Sequence, residues 1–400
     1  MPEAVIVATS RSPIGRAGKG SLIGMRGDDM ARQITEAALK QVPQLDPSEI
    51  DDLILGVGQP GGEQGNGLAR VLAVLLGLDS VPGVTVQRYC SSSLQTTRMA
   101  MHAIRAGEGH AFLSVGVESV SRYANGKADG PPETHNGLFS AAEQRQACAA
   151  WSDPRTTGEL PNVYISMGET AENVASYYGI TRAEQDEFAL RSQQLAAKAI
   201  ANGFWAADIT PLTLPDGTVV DADDCPRPNT TAEGLAALKP VFREDGSVTA
   251  GNACPLNDGA AALVIMSDTR AKELGITPLA RVVSTGVSAV SPEIMGVGPI
   301  EAVKRALSHA QMSIGDIDLF EINEAFAAQV IPSVREIGVD ESIVNVNGGA
   351  IAVGHPFGMT GARITTTLIH ALQDGDKTIG LETMCVAGGQ GMAMVIERLS

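Results

Sequence analysis

Two cysteines, a histidine and an asparagine stand where strand patterns give way to turns, and these residues have chemistry to offer. Cys90 lies between a strand-like run, Val84-Thr85-Val86, and a helix that opens Ser91-Ser92-Ser93 and carries Leu94, Met101 and Ile104 on one face. A thiol at a helix N-terminus meets free backbone N–H groups and the positive dipole end, which lower its pKa and suit a nucleophile. A buried structural cysteine is the plainer reading of Cys90 taken alone. His355 ends a glycine-dense stretch, Asn345-Val346-Asn347-Gly348-Gly349-Ala350-Ile351-Ala352-Val353-Gly354-His355-Pro356, just before a helix pattern over 360–372. Glycines there permit close backbone packing, and a neutral imidazole in such a turn is suited to take a thiol proton.

Cys385 follows a strand-like run over 378–384 and enters the turn Val386-Ala387-Gly388-Gly389-Gln390-Gly391. Successive N–H groups in such a turn form a concavity that fits an oxyanion. Asn323-Glu324-Ala325-Phe326-Ala327 follows another strand pattern at 319–322; a helix N-cap is the ordinary alternative for Asn323. Ligands bind at strand ends in open α/β sheets, so four polar groups at four such junctions point to one site. Cys90, His355 and Cys385 lack the spacing of a zinc site and have no evident fourth ligand, so no metal is expected. Neither a dinucleotide fingerprint nor a P-loop is present.

These residues need elements to position them. Short β-branched runs alternate with longer helical patterns: 50–56, then 68–76, then 81–86, then 94–104, an α/β rhythm. The order returns later. Residues 316–322 resemble the 50–56 segment, and a strand expected at 343–346 sits before Gly348-Gly349 as 84–86 sits before Cys90. This predicts a duplication whose halves bring their strand ends together. Residues 121–248 differ, with Pro131-Pro132, a polar helix over 181–202 opened by a Thr181/Glu184 capping box, and a Pro/Asp-rich stretch over 221–231. We read them as an insertion that covers something. The expected units are therefore 1–120 with 249–275, the inserted 121–248, and 276–400.

Composition limits the partners. The 29 Lys and Arg against 46 Asp and Glu leave a charge of −17, unfavourable for a nucleic-acid surface. No run of apolar residues is long enough for a membrane span. Five cysteines, an odd number, suggest no disulfide framework, and the first residues read as a strand, not a leader, so a cytoplasmic protein is expected.

Together the segments at 81–95, 323–327, 345–356 and 385–391 resemble the four motif blocks of the thiolase family, and the resemblance runs over essentially the whole chain. Residues 167–175, 248–253 and 257–261 are similar too. The resemblance implies a duplicated, five-layered α-β-α-β-α fold with a loop domain over the site. It implies that Cys90 is acylated, that His355 activates it, that Cys385 exchanges the α-proton of an acetyl group, and that Asn323 positions a water. The backbone N–H groups of Cys90 and Ala387 would form one oxyanion site. Coenzyme A, a substrate with no separate cofactor, would touch Met167, Arg227, Leu238 and Cys254. Further implications are acyl-CoA partners, a homodimer or homotetramer, and a hydratase/dehydrogenase partner in members that join a larger complex.

The sequence departs from the family pattern at four places. Cys254-Pro255 replaces a common Ser-Gly, Ser166 stands where biosynthetic members tend to carry histidine, Ala387 replaces a glycine, and Ser93 replaces a frequent glycine with little expected effect. Ser166 speaks against the biosynthetic type, and residues 81–92 together with Pro292-Glu293-Ile294-Met295-Gly296-Val297-Gly298-Pro299 resemble β-oxidation members, which implies cleavage of 3-ketoacyl-CoA by CoA. The alternatives are an acetyl-CoA acetyltransferase condensing two acetyl-CoA, and a silent acyl-CoA or lipid binding protein.

Overall fold

Every second residue of the long strands faces one core and its neighbours face another, and this alternation builds the layers. The computed structural model describes residues 1–123, 132–145 and 150–400. Pro131 and Cys148 lie outside them. The first half contributes β1 (Ala4–Arg11), β2 (Asp52–Val57), β3 (Gly83–Val86), β4 (Ala111–Ser119) and β5 (Asn257–Ser267). The second contributes β6 (Ala280–Ala289), β7 (Leu319–Ile322), β8 (Ile379–Val386) and β9 (Gln390–Arg398). The strand order is β7-β8-β9-β6-β1-β5-β4-β2-β3, with Gly15–Arg16 paired beside β5.

The two halves repeat one topology. In the first, β2 runs parallel to β3 and β4, and β5 is antiparallel to β4 and β1. In the second, β7 is parallel to β8, and β9 is antiparallel to β8 and β6. They join where β1 meets β6 through two residue pairs, Val5 with Arg281 and Ile6 with Ala280.

Ala261, Leu263 and Ile265 of β5 and Met392, Met394 and Ile396 of β9 face a shared central core. There the first-half helix Ser92–Ala106 packs against the second-half helix Thr360–Asp374, through Leu94, Met101 and Ile104 on one and Ile364, Leu368 and Ile369 on the other. The opposite strand faces are covered outside by Gly27–Lys40 and Leu68–Leu75 in one half, and by Gly298–Ala310 and Ala327–Ile337 in the other. The result is α-β-α-β-α layering.

Between β4 and β5 the chain forms helices Met167–Tyr178 and Arg182–Ala201, the second opened by the expected Thr181/Glu184 capping box. Two local expectations fail. Residues 343–346 are not a strand: only Val344 bridges to Phe320, and Asn345 turns to a φ of 47°. Its side-chain amide then accepts from the Ile322 N–H (2.8 Å) and donates to the Ile322 carbonyl (2.9 Å), doing for β7 what a neighbouring backbone would do. Cys385, expected beyond its strand, lies inside β8, paired with Gly391. No helix among the described residues is long and apolar enough to cross a membrane.

Candidate active site

Strand β3 delivers the chain into the turn Tyr89–Ser91, which packs against β8 and the helix Thr360–Asp374. Tyr89 has a φ of 44°, a left-handed conformation that a bulky residue keeps only where its surroundings hold it. Ser92 helps to hold it, its hydroxyl donating to the Tyr89 carbonyl (2.7 Å) and accepting from the Arg88 N–H (2.9 Å). Cys90 is buried in the central core with Val353 and Met359, which bracket His355. Burial pushes its thiol up to about 12, although the Ala387 N–H and its own N–H donate to the sulfur and pull the other way. The expected dipole-lowered thiol is therefore corrected: the N–H groups are present, but desolvation outweighs them.

His355 is fully enclosed, and its two ring nitrogens have different tasks. The Thr360 hydroxyl lies 2.6 Å from Nδ1, and it donates its single proton to the Pro356 carbonyl (2.7 Å). Its oxygen must accept from Nδ1–H, so the Nε2 lone pair is left to face the Asn323 amide at 3.3 Å. Burial, then the positive charge of Arg363, pushes the imidazole down to about 3. The ring is neutral in the resting protein. Its backbone N–H donates to Asn257 Oδ1 (2.9 Å). Gly354, at a φ of 112°, lets the turn press against Asn257 and Ile14, where a Cβ would come within 2.6 Å of the isoleucine.

Asn323 is not a helix cap, since its helix begins at Ala327 with Phe326 in the capping position. Its amide faces His355, and its Oδ1 is buried without a hydrogen-bond partner among the described residues. That leaves an acceptor in the site for substrate or water. Neighbouring Glu324 accepts from Ser192 (2.6 Å), Asn345 (2.8 Å) and the Ile351 N–H (3.1 Å), and so ties this turn to the histidine loop and to the inserted helix Arg182–Ala201.

Cys385 is completely buried beside Ala325, Phe326 and Ile351, with Met167 and Cys254 against the same cluster. Burial, together with the charge that Cys90 and Cys254 would carry, raises its pKa well above the ordinary thiol range. Ala387 needs no positive φ; Gly388 and Gly389 take that conformation instead, at 75° and 79°. The substitution of alanine for glycine thus leaves its N–H free to reach Cys90.

Of the residues expected to contact CoA, Met167 and Cys254 reach the Cys385 cluster, and Leu238 packs over Gly251. Burial also raises the Cys254 thiol. Arg227 is exposed, its backbone N–H donating to Gln193 Oε1 (2.8 Å), and its guanidinium makes no ion pair among the described residues. Two surface cavities in the inserted segment, about 810 Å³ around Phe242 and Ser247 and about 450 Å³ around Trp151 and Tyr164, are not lined by Cys90, His355 or Cys385.

Sequence reasoning missed several residues. Phe242, exposed and edge-on to Phe326, lies over Gly168 beside Met167; only its aromatic character could have marked it. Buried Glu118 accepts from the Gly58 and Gly358 N–H groups (2.7 Å each), pinning the histidine loop to β4. Ser93 is not inert, because its hydroxyl accepts from the Ala362 N–H (2.9 Å) and links the two central helices.

A buried acid pair was also missed. Glu321 and Glu382 are register partners on β7 and β8, on the strand faces that carry Leu319 and Met384 into the central core. The Thr365 hydroxyl donates to the Gly361 carbonyl (2.8 Å) and lies 2.7 Å from Glu382 Oε1. The Thr365 hydroxyl is also a donor toward Glu382 Oε1, a contact that opposes the effect of burial on this carboxyl. Burial raises that carboxyl well above its usual range and pushes Glu321 up to about 8, with Arg363 opposing the latter.

A carboxyl raised in the folded state costs stability as pH climbs above its unfolded pKa, because only the unfolded chain releases the proton. Glu382→Gln is therefore expected to stabilise the protein at pH 7, with a gain that shrinks toward pH 4. Urea midpoints at the two pH values check this. An equal effect at both would exclude a protonated Glu382.

Comparisons with known proteins place the chain in a family. The thiolase N-terminal domain family matches residues 4–269, and the thiolase C-terminal domain family matches 276–398. A 3-ketoacyl-CoA thiolase of Bacillus subtilis is 42% identical over 410 residues, covering 99% of this chain and 100% of that protein. A 3-oxoadipyl-CoA/3-oxo-5,6-dehydrosuberyl-CoA thiolase of Escherichia coli K12 is 43% identical over 408 residues, covering 100% of both. The crystal structure of a Bacillus anthracis acetyl-CoA acetyltransferase superposes with a TM-score of 0.87 at 42% identity, covering 100% of this chain and 99% of that one. Matched in both halves and along its full length, the chain belongs to the thiolase family and is an acyltransferase.

Proposed function

We propose that the protein cleaves 3-ketoacyl-CoA with CoA, giving acetyl-CoA and an acyl-CoA shortened by that unit. The observation that carries this reading is the meeting of four strand-end groups from both halves: Cys90 under the Ala387 N–H, His355 with its Nε2 lone pair toward Asn323, and Cys385 in the adjoining cluster. His355 takes the Cys90 proton as sulfur attacks the 3-keto carbonyl. The N–H groups of Cys90 and Ala387 hold one developing oxyanion; His355 and a water placed by Asn323 hold the thioester oxygen. The C2–C3 bond breaks, Cys385 gives its proton to the leaving enolate, and acetyl-CoA departs. CoA then reprotonates Cys385 and attacks the acyl-Cys90 thioester. Shortened acyl-CoA leaves, and His355 returns the first proton to Cys90.

CoA enters as a substrate beneath the inserted segment, with Met167, Phe242, Leu238 and Cys254 along its thiol arm and Arg227 as a cation for its phosphates. Ser166, which caps its helix through the Glu169 N–H and offers no imidazole, supports the degradative direction. The names of several relatives favour a second substrate class, 3-oxoacyl-CoA with a distal carboxylate.

The test follows loss of the ketoacyl-CoA absorbance with CoA across acetoacetyl-CoA, longer 3-ketoacyl-CoAs and 3-oxoadipyl-CoA. Turnover of longer or dicarboxylic substrates is expected. Activity confined to acetoacetyl-CoA would select the biosynthetic alternative, and none at all would overturn the reading.

A further inference from the structure

We propose that Arg88 and Gln390 form a strap that sets the separation of the two oxyanion-binding N–H groups, as positioning residues for the reaction above. The inference rests on the assignment of Cys90 and Ala387 to one oxyanion site. Those two N–H groups belong to different halves of the fold, one on the turn after β3 and the other on the turn between β8 and β9. Among the described residues the halves share two backbone pairs between β1 and β6 and a short bridge of 252–254 to 325–327, and neither includes the turns that carry the two donors.

Side chains join those turns instead. Arg88 lies two residues before Cys90, and its carbonyl accepts from the Ser91 N–H (3.0 Å), so it is part of the nucleophile turn. Its guanidinium donates from Nη1 to Gln390 Oε1 (2.8 Å) and from Nε to Gln95 Oε1 (3.1 Å). Gln390 in turn donates from Nε2 to the Ala387 carbonyl (3.2 Å). One chain of hydrogen bonds therefore runs from the turn that carries Cys90 to the residue whose N–H reaches the Cys90 sulfur.

Each link needs its residue type. The arginine fork holds Gln95 and Gln390 together in fixed directions, which a lysine ammonium does not. Gln390 must accept at one atom and donate at the other, which neither glutamate nor leucine does. The strained backbone of Tyr89 lies inside this span, and such a conformation persists only when neighbours over-determine it.

Arg88→Met, Gln390→Leu, the double variant and Gln390→Glu of the full chain test the strap, with acetoacetyl-CoA and CoA as the probe pair. Each single change is expected to lower kcat roughly 10- to 100-fold, the size of a weakened oxyanion contact, with KM changed by less than about 3-fold. Alkylation of Cys90 by iodoacetamide, which uses the Ala387 N–H on the sulfur but no oxyanion hole, should slow by much less than kcat. The double variant should be no worse than the poorer single one, because the two residues act as a unit. Gln390→Glu keeps its acceptor toward Arg88 but loses the donor to Ala387, and should fall as far as Gln390→Leu.

Unchanged kcat, multiplying losses in the double variant, or a parallel loss of Cys90 alkylation would overturn the proposal. Failure of the underlying assignment shows separately, as a wild-type enzyme that forms no acetyl-Cys90 from acetyl-CoA.

Discussion

Cys90→Ala is expected to give a folded protein that forms no acyl-enzyme and turns over 3-ketoacyl-CoA at least ~10⁴-fold more slowly, because the covalent holder of the acyl group is gone. The loss is chemical, since the change removes one small atom from a core that retains Leu94, Val353 and Met359 around it. Mass spectrometry after incubation with acetyl-CoA reads acylation directly, and far-ultraviolet circular dichroism checks the fold. Acylation at another residue, or turnover within about tenfold of wild type, would sink the assignment. The resting ionisation states add a second reading. With the thiol near 12 and the imidazole near 3, Cys90 and His355 rest as a neutral pair, and the proton moves only as substrate is attacked. Wild-type kcat/KM should therefore show no limb from this pair between about pH 6 and 9.

Cys385→Ala separates the two half-reactions. Acylation of Cys90 by acetyl-CoA needs a nucleophile and an oxyanion site but no acid at the α-carbon, so the variant should still be labelled. Carbon–carbon cleavage needs a proton for the enolate, and the variant should lose it by roughly 10³-fold, within the span of a missing general acid. The burial that keeps the Cys385 thiol protonated suits it to give that proton. Exchange of deuterium into the methyl group of acetyl-CoA gives an independent check and should stop with the same substitution. Intact cleavage together with intact exchange would assign the acid elsewhere. A variant that also fails to acylate would place Cys385 in the architecture of the nucleophile site.

The four chemical junctions were legible because each is carried by contiguous residues at a strand end, and the α/β rhythm that positions them is local. The helices over 92–106, 182–201 and 360–374 follow the expected patterns within a few residues. What the sequence hid depends on distant partners. The direction of the Cys90 shift is set by burial between two halves of the chain, which no local dipole reveals. Residues 343–346 have strand-forming side chains, yet the Asn345 amide meets Ile322 and ends the ladder. The Glu321–Glu382 pair exists only in the register of β7 on β8, and Arg88 and Gln390 are 302 residues apart. Ala387 stands where the family has glycine, and only backbone angles show that the adjacent glycines carry the turn.

The pairing of β1 with β5 sets an order of events during synthesis. Ala4 faces Ser267, and among the described residues β5 alone connects β1 to β4. At ribosomal speeds of about 5–20 residues per second, β1 waits for tens of seconds before its partner is made. Until then both β1 and β4 present open edges of the kind that recruit foreign strands. A chain that stops short of Asn257 should therefore accumulate as aggregate, read as its insoluble fraction beside that of the full chain.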